Sequence, residues 1–233
     1  DPSYSTITAD MYPDLFVGRF SAESVSHVET QVLRTIEYEK RPQSGGDWYH
    51  KGMGVASDQG PGDDGEYDYV HVDNIRADLL AFTYTEVDQI YDPSGTAAMV
   101  SAGLNEGRSV INYPGHGSTT SWGSTGFSNT HVNALVNDNM LPFIISVACV
   151  NGQFNGYTCF AEAWLRATNG AEPTGAIGAY MSSVNQSWDP PMDAQDEIAD
   201  LLVGTSANGV RRTYGGICYN GCGHMMDEYG TSG

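Results

Sequence analysis

The sequence predicts an α/β protein with a mostly parallel central sheet that is flanked by helices on both faces. Short apolar runs alternate along the chain with segments of helical periodicity, which is the pattern of repeated strand–helix–strand units. The strand-like runs are apolar throughout, as strands buried on both faces are. No low-complexity linker interrupts the 233 residues, so we expect one domain over residues 1–233.

Predicted strands and helices follow one another in chain order. The apolar runs predict strands at 15–20, 54–57, 86–91, 109–113, 142–147 and 176–181. The 3.6-residue periodicity predicts helices at 23–39, 70–82, 94–104, 130–137, 160–168, 193–202 and 214–229. The first helix is expected to turn its apolar side to the core, namely Val25, Val28, Val32, Leu33 and Ile36.

Composition limits the classes of function. Asp and Glu number 29 against 10 Lys and Arg, so the formal charge is −19 at pH 7. A negative surface repels phosphate, and we therefore expect no nucleic-acid partner. The negative charge suits cationic partners or metal ions. Adaptation to high salt is a second explanation for the excess of acidic residues. No apolar run reaches the roughly 18 residues of a membrane helix, so no membrane-spanning segment is expected.

Two predicted strands lead into residues that are capable of catalysis. His116 lies between two glycines after the strand at 109–113, and Cys149 follows the strand at 142–147. Functional groups of parallel sheets gather beyond the carboxyl ends of the strands. A thiol and an imidazole that meet there form a nucleophile and a general acid–base. Taken singly, each residue also fits an ordinary role, as a core cysteine and a loop histidine.

Four segments carry a resemblance to a known family. They are NYPGHGSTTSWG (112–123), LPFIISVACVNGQF (141–154), CFAEAWLRA (159–167) and SSVNQSW (182–188). These segments resemble the catalytic domain of the gingipains, secreted cysteine peptidases, and are closer to its arginine-specific than to its lysine-specific members. The resemblance covers nearly the whole chain. It implies a caspase-like three-layer sandwich, a secreted or cell-surface location in a bacterium, and catalysis that needs no cofactor.

The resemblance also assigns roles to individual residues. Cys149 would be the nucleophile and His116 the carrier of the proton. The backbone N–H groups of Cys149 and Gly117 would stabilise the oxyanion, since such donors act where negative charge develops. Asp58 matches a family glutamate that accepts a hydrogen bond from the imidazole, although its side chain is one methylene shorter.

An arginine-specific S1 pocket is the next implication of the resemblance. Asp68, in the run GEYD, matches the aspartate at the base of that pocket. A buried carboxylate holds a guanidinium in a bidentate pair. Trp188 would line the pocket wall and stack on the flat cation, with Gln186 nearby as a donor or acceptor. From the residues alone, the acidic stretch 58–73 also fits a solvated loop.

Metal sites and missing parts complete the expectations. The gingipains bind calcium, so the resemblance implies a structural Ca²⁺ held by loop carboxylates, with its ligands unassigned. Cys218, Cys222 and His224 offer three zinc ligands without a fourth, which favours packed thiols. The relatives carry an upstream α/β subdomain and a final strand that have no counterpart in this sequence. Other pieces of its own precursor are therefore expected as partners.

The leading interpretation is a secreted cysteine endopeptidase that hydrolyses peptide bonds after arginine through a thiol acyl-enzyme. Two others stay open. One is a related transpeptidase that processes the signals of secreted proteins, and the other is a non-catalytic binding module on the same fold. Asp68 with Trp188 favours the endopeptidase over the transpeptidase. The intact pair of Cys149 and His116 counts against a binding module.

Overall fold

A computed structural model describes residues 2–8, 10–211 and 213–230. The strands are β1 (Lys51–Ala56), β2 (Glu86–Tyr91), β3 (Val110–Pro114), β4 (Gly117–Ser118), β5 (Ser121–Trp122), β6 (Phe143–Val147), β7 (Thr168–Asn169), β8 (Glu172–Pro173) and β9 (Gly178–Met181). The α-helices are α1 (Pro2–Ser5), α2 (Val25–Lys40), α3 (Asp68–Phe82), α4 (Ala97–Glu106), α5 (Asn129–Val132), α6 (Phe160–Arg166), α7 (Asp189–Val203) and α8 (Tyr214–Tyr229).

The central sheet is parallel and has five strands in the order β2-β1-β3-β6-β9. The other four strands form two short antiparallel hairpins, β4-β5 and β7-β8. The predicted α/β class is confirmed. None of the described helices combines the length and the apolarity that crossing a membrane requires.

Two hydrophobic clusters cover the two faces of the sheet and define three layers. Successive residues of a strand point to opposite faces, so Val110 and Ile111 of β3 enter different clusters. The cluster that contains Ile111 joins α4, α5 and α6 to the sheet, with Trp122 and Trp164 among its largest members. The cluster that contains Val110 joins α3, α7 and α8. The predicted three-layer arrangement follows from this alternation.

Helix α2 packs on the rest of the protein with a polar face, so the prediction that its apolar face turns to the core is wrong. Gln31 and Arg34 are buried, whereas Val25 and Leu33 are 74% and 60% exposed. Arg34 donates hydrogen bonds at 2.8–3.4 Å to the carbonyl groups of Trp164, Ala167, Thr174 and Ala176. Those carbonyls end α6 and border β8 and β9; two of them, on Trp164 and Ala167, also accept backbone N–H groups, whereas those of Thr174 and Ala176 rely on Arg34 among the described groups. Their satisfaction decides the orientation of the helix.

The predicted strand at 15–20 is also wrong. These residues form no strand, and Leu15, Phe16 and Phe20 are 49%, 62% and 55% exposed. An apolar run becomes a strand only where another strand supplies hydrogen-bond partners, and no described strand pairs with it.

Helices α7 and α8 belong to the layer that covers the Val110 side of the sheet. Helix α7 begins four residues earlier than predicted because Pro190 and Pro191 occupy its first turn, where proline needs no N–H partner. The predicted tail helix is confirmed despite its glycines. A Cβ atom on Gly221 would lie 2.6 Å from Ile198 Cγ1 and 2.8 Å from the Ala194 carbonyl oxygen. Glycine therefore permits the close packing of α8 on α7.

Candidate active site

Neighbouring strands bring His116 and Cys149 to one edge of the sheet. Pro114 ends β3 directly beside Val147, which ends β6, and the Gly115 N–H donates to the Val147 carbonyl oxygen at 3.0 Å. His116 and Cys149 each follow two residues after these partners. Both candidate residues therefore lie beyond the carboxyl ends of adjacent parallel strands, as the sequence predicts.

The turn that carries Cys149 is strained. Val150 has φ 52°, in the left-handed region that a β-branched residue rarely adopts, at a cost of about 1–3 kcal/mol. A hydrogen bond from the Val150 N–H to the Val184 carbonyl oxygen, at 3.0 Å, holds this conformation. Strain of this kind is retained mainly at functional sites. The Cys149 thiol donates to the Gln186 carbonyl oxygen at 3.9 Å.

The Cys149 backbone N–H makes no hydrogen bond within the described ranges of the chain. A backbone N–H that no protein acceptor uses can donate to a ligand bound beside the nucleophile. Gly117 packs directly against this turn. A Cβ atom on Gly117 would lie 2.7 Å from the Cys149 carbonyl oxygen and 2.8 Å from Ala148 Cβ. Only glycine fits there, which explains why glycine follows His116.

The backbone of His116 is fixed, while its ring lies at the surface. Its carbonyl oxygen accepts hydrogen bonds from the Tyr113 hydroxyl and from the Gly123 N–H, both at 2.7 Å. Tyr113 is fully buried, and burial raises the pKa of its hydroxyl to about 12, so it stays a donor. The imidazole packs edge-on against Trp188, with ring centroids 5.1 Å apart. This contact joins His116 to the predicted S1 pocket.

Asp68 is fully buried beside this pair. It is the first residue of α3, and its Oδ1 accepts a hydrogen bond from Trp188 Nε1 at 3.0 Å. Its Oδ2 accepts from the Ser57 hydroxyl. Burial raises the pKa of Asp68, and these two donors, together with His71 and His116, act against that rise. A buried carboxylate whose negative charge is only partly balanced by its neighbours is suited to a cationic ligand.

Ser57 is a site residue that the sequence reasoning missed, and Asp58 takes a different place from the predicted one. Ser57 directly follows β1, and its N–H donates to the Pro114 carbonyl oxygen at 3.2 Å. Ser57 is buried like the strand residues before it, whereas Asp58 lies in the bend that follows and is exposed. The Asp58 carboxylate accepts from Gln59 Nε2 at 2.9 Å. Among the described histidines, His71 and His224 have a ring nitrogen within 4.0 Å of a carboxylate oxygen, and His116 has none.

Gln186 and Trp188 line a narrow cleft beside Cys149. The cleft is lined by Gly115, Cys149, Gln186, Trp188 and Met192, among others. The Oε1 atom of Gln186 is buried and accepts no hydrogen bond from any described group. A buried acceptor without a donor costs about 1–3 kcal/mol, so this atom favours a ligand that brings one.

The other cysteines are not candidate nucleophiles, and none of the four is in a disulfide. Burial raises the pKa of Cys159 to about 11 and that of Cys218 to about 12, so both stay protonated thiols. His224 Nε2 lies 3.3 Å from Asp193 Oδ1, so its near neighbour is a carboxylate. The described residues contain no cluster of three or more His, Cys, Asp or Glu side chains arranged to bind a metal. The structural Ca²⁺ stays a prediction.

A parallel α/β sheet that brings a thiol and an imidazole to adjacent strand ends fits the chemistry of a cysteine peptidase. The sequence profile of peptidase family C25 matches residues 1–229, and the chain belongs to that family. The resemblance inferred from four segments is therefore confirmed.

Gingipain R2 of Porphyromonas gingivalis is 42% identical over 238 aligned residues, which cover 100% of this chain and 32% of that protein. The crystal structure of the Arg specific cysteine proteinase gingipain R (RGPB) superposes with a TM-score of 0.95 at 40% identity, over 98% of this chain and 54% of that one. A complex of Porphyromonas gingivalis RgpB pro- and mature domains gives a TM-score of 0.94 at 40% identity, over 99% and 55%. This chain spans about a third of the curated relative and about half of the solved chains.

Proposed function

We propose that this chain carries the active site of a secreted cysteine endopeptidase that hydrolyses peptide bonds after arginine. The observation that supports it most is the grouping of four side chains at one edge of the sheet: Cys149, His116, Asp68 and Trp188. Membership of a peptidase family supports the reaction, and the similarity to an Arg specific proteinase supports the residue preference.

The reaction uses the thiol and the imidazole in turn. The Cys149 sulfur attacks the carbonyl carbon of the peptide bond, and its proton passes to His116. The carbonyl oxygen becomes an oxyanion, to which the N–H groups of Cys149 and Gly117 donate. When the C–N bond breaks, His116 gives its proton to the leaving amine, and a thioester remains. Water, deprotonated by His116, then attacks the thioester and releases the acid and the thiol.

The S1 pocket is complementary to arginine in charge and in hydrogen bonding. A carboxylate has about four lone-pair positions, and Ser57 and Trp188 use two of those on Asp68. A guanidinium donates at the remaining positions, while its flat face packs on the Trp188 indole. The unpartnered Gln186 Oε1 supplies a further acceptor. Lysine has a single ammonium group and cannot fill the same set of acceptors.

The partners and location belong to the same proposal. Protein or peptide substrates with arginine at P1 are the expected ligands, and other pieces of its own precursor are expected partners. The relative whose pro- and mature domains form a complex supports the latter. Secretion from a bacterium, or attachment to its surface, rests on kinship with gingipains of Porphyromonas gingivalis.

A panel of peptides that differ only at P1 tests the proposal. We expect hydrolysis after Arg to exceed hydrolysis after Lys, Gln or Leu by about 100-fold or more, since a mispaired buried site loses several kcal/mol. Cys149→Ala is expected to show no turnover. Mass spectrometry of the products, with an added amine, separates the alternatives. Transfer of the acyl group to the amine in place of water would indicate a transpeptidase, and absence of any turnover would indicate a binding module.

A further inference from the structure

Three buried polar side chains form a connected network beneath the proposed pocket. His71 in α3, Gln195 in α7 and Asn112 in β3 are 1%, 0% and 5% exposed. His71 Nε2 lies 3.1 Å from Gln195 Oε1, and Gln195 Nε2 donates to Asn112 Oδ1 at 3.2 Å. The same amide donates to the Ile145 carbonyl oxygen of β6 at 3.3 Å. The catalytic steps above use none of these groups.

The acceptors determine where the protons lie. A backbone carbonyl only accepts, so the bond to Ile145 fixes the Gln195 amide nitrogen toward the sheet and its oxygen toward His71. His71 Nε2 must therefore carry a proton and donate it. The other ring nitrogen, Nδ1, lies 3.4 Å from Asp196 Oδ2 and 4.0 Å from Glu66 Oε2. A lone pair there would face two carboxylates, whereas a proton there faces two anions favourably.

The network joins the elements that carry the four proposed site residues. His71 lies one helical turn after Asp68 in α3, and Gln195 lies two turns after Trp188, which directly precedes α7. The hydrogen bond between His71 and Gln195 therefore lies further along α3 and α7 than the one between Asp68 and Trp188. Its other end reaches β3 and β6, the strands that lead to His116 and Cys149.

We propose that His71, held as an imidazolium, is a positioning residue that clamps α3 to α7 and so keeps Asp68 and Trp188 in contact. This inference rests on the proposed function for its consequence, the binding of a P1 arginine. The clamp itself is a property of the fold. His71 does not touch the substrate, and its effect passes through the two pocket residues.

The electrostatics agree with the geometry. Burial acts to lower the pKa of His71, but the nearby Asp196 carboxylate, the Gln195 acceptor and the charge of Glu66 outweigh burial, so the pKa is raised. The charged groups around the ring are Glu66 before α3, Asp196 on α7 and Asp68 on its own helix. All are acidic, and each favours the protonated ring over the neutral one. Above its pKa, Nε2 still donates to Gln195, but Nδ1 faces Asp196 with a lone pair, so α3 loses its charge contact with α7 and the clamp loosens.

The Trp188 indole N–H reports the clamp without any need for catalysis. Its resonance in ¹H–¹⁵N spectra, assigned with Trp188→Phe, would be followed against pH together with the His71 ring resonances. We expect the Trp188 signal to move at the pH where His71 loses its proton. Asp196→Asn removes the anion at Nδ1 and should move both midpoints to lower pH. Glu39→Gln makes the same charge change at an exposed site on α2 and should move neither.

His71→Gln supplies the last variant and a kinetic readout. Its amide can donate to Gln195 but cannot carry the charge, so the pH transition of Trp188 should disappear. KM for a P1-arginine peptide should rise roughly tenfold with kcat little changed, about the loss of one charge-assisted hydrogen bond. A Trp188 transition that persists in His71→Gln, or an unshifted midpoint in Asp196→Asn, would overturn the clamp. If the clamp transitions appear as expected and arginine peptides are not cleaved, the clamp stands and the proposed function fails.

Discussion

Replacing Asp68 by asparagine removes one charge from the proposed pocket while preserving its shape. Asparagine keeps one oxygen, which can accept from Trp188 Nε1 as Asp68 Oδ1 does at 3.0 Å. Its amide nitrogen faces the Ser57 hydroxyl, which now donates to Asp68 but can rotate to accept. Both partners thus stay satisfied, and we expect the free energy of unfolding to change by about 1 kcal/mol or less.

The effect on arginine substrates should be much larger. A bidentate contact between a guanidinium and a buried carboxylate comprises two charge-assisted hydrogen bonds of about 1.5–3 kcal/mol each. Their loss amounts to roughly 3–6 kcal/mol, or about a 10²- to 10⁴-fold fall in kcat/KM for P1 arginine. A peptide with P1 glutamine makes no such pair and should lose little.

The assay compares kcat/KM for matched P1-arginine and P1-glutamine peptides in three forms of the protein. Asp64→Asn is the control, because it makes the same charge change at an exposed loop position with φ 52°, a conformation that asparagine tolerates. We expect the arginine preference to fall only in Asp68→Asn. An equal fall for both peptides, or an equal fall in the control, would refute Asp68 as the base of the pocket.

Three further predictions concern the nucleophile turn, the core and pH. Gly117→Ala places a Cβ atom 2.7 Å from the Cys149 carbonyl oxygen. We expect kcat to fall about 100-fold while the circular dichroism spectrum stays native. An unchanged kcat would contradict the packing of Gly117 on this turn. Arg34→Met removes the donor to four carbonyls and should lower the free energy of unfolding in urea by about 2–4 kcal/mol. Arg41→Met, which loses an exposed pair with Glu37, should lower it by under about 1 kcal/mol. Equal losses would contradict the role of Arg34. The raised pKa of His71 stabilises the folded state fully below the unfolded pKa of about 6.5. This contribution should be lost as the pH rises through the folded pKa. If His71→Gln had the same pH dependence of the unfolding free energy as the unchanged protein, this prediction would be wrong.

The sequence predicted the sheet and the pair of reactive residues because both depend on local patterns. Continuous apolar runs are recognisable without knowledge of their neighbours, and the carboxyl ends of parallel strands meet by topology. The order of the strands brings His116 and Cys149 together, and no side-chain detail is needed for that inference.

The errors come from features that only the assembled fold defines. The apolar side of α2 faces outward because Arg34 satisfies carbonyls from a segment some 130 residues away. Neither the hydrogen bond from Ser57 to Asp68 nor the one from His71 to Gln195 has a signature in sequence spacing. Polar networks between elements depend on the packing that places them, and periodicity reports only which residues share a face.

Covalent labelling with a peptidyl-arginine chloromethyl ketone tests the central claim most directly. The Cys149 sulfur would displace chloride and form a thioether, with the arginine side chain seated on Asp68. We expect one adduct per chain, mapped by mass spectrometry to Cys149, and we expect its formation to be slowed in His116→Ala and in Asp68→Asn and absent in Cys149→Ala. An adduct on the half-buried Cys222, or labelling of Cys149 at the same rate in all forms that retain the thiol, would contradict the account.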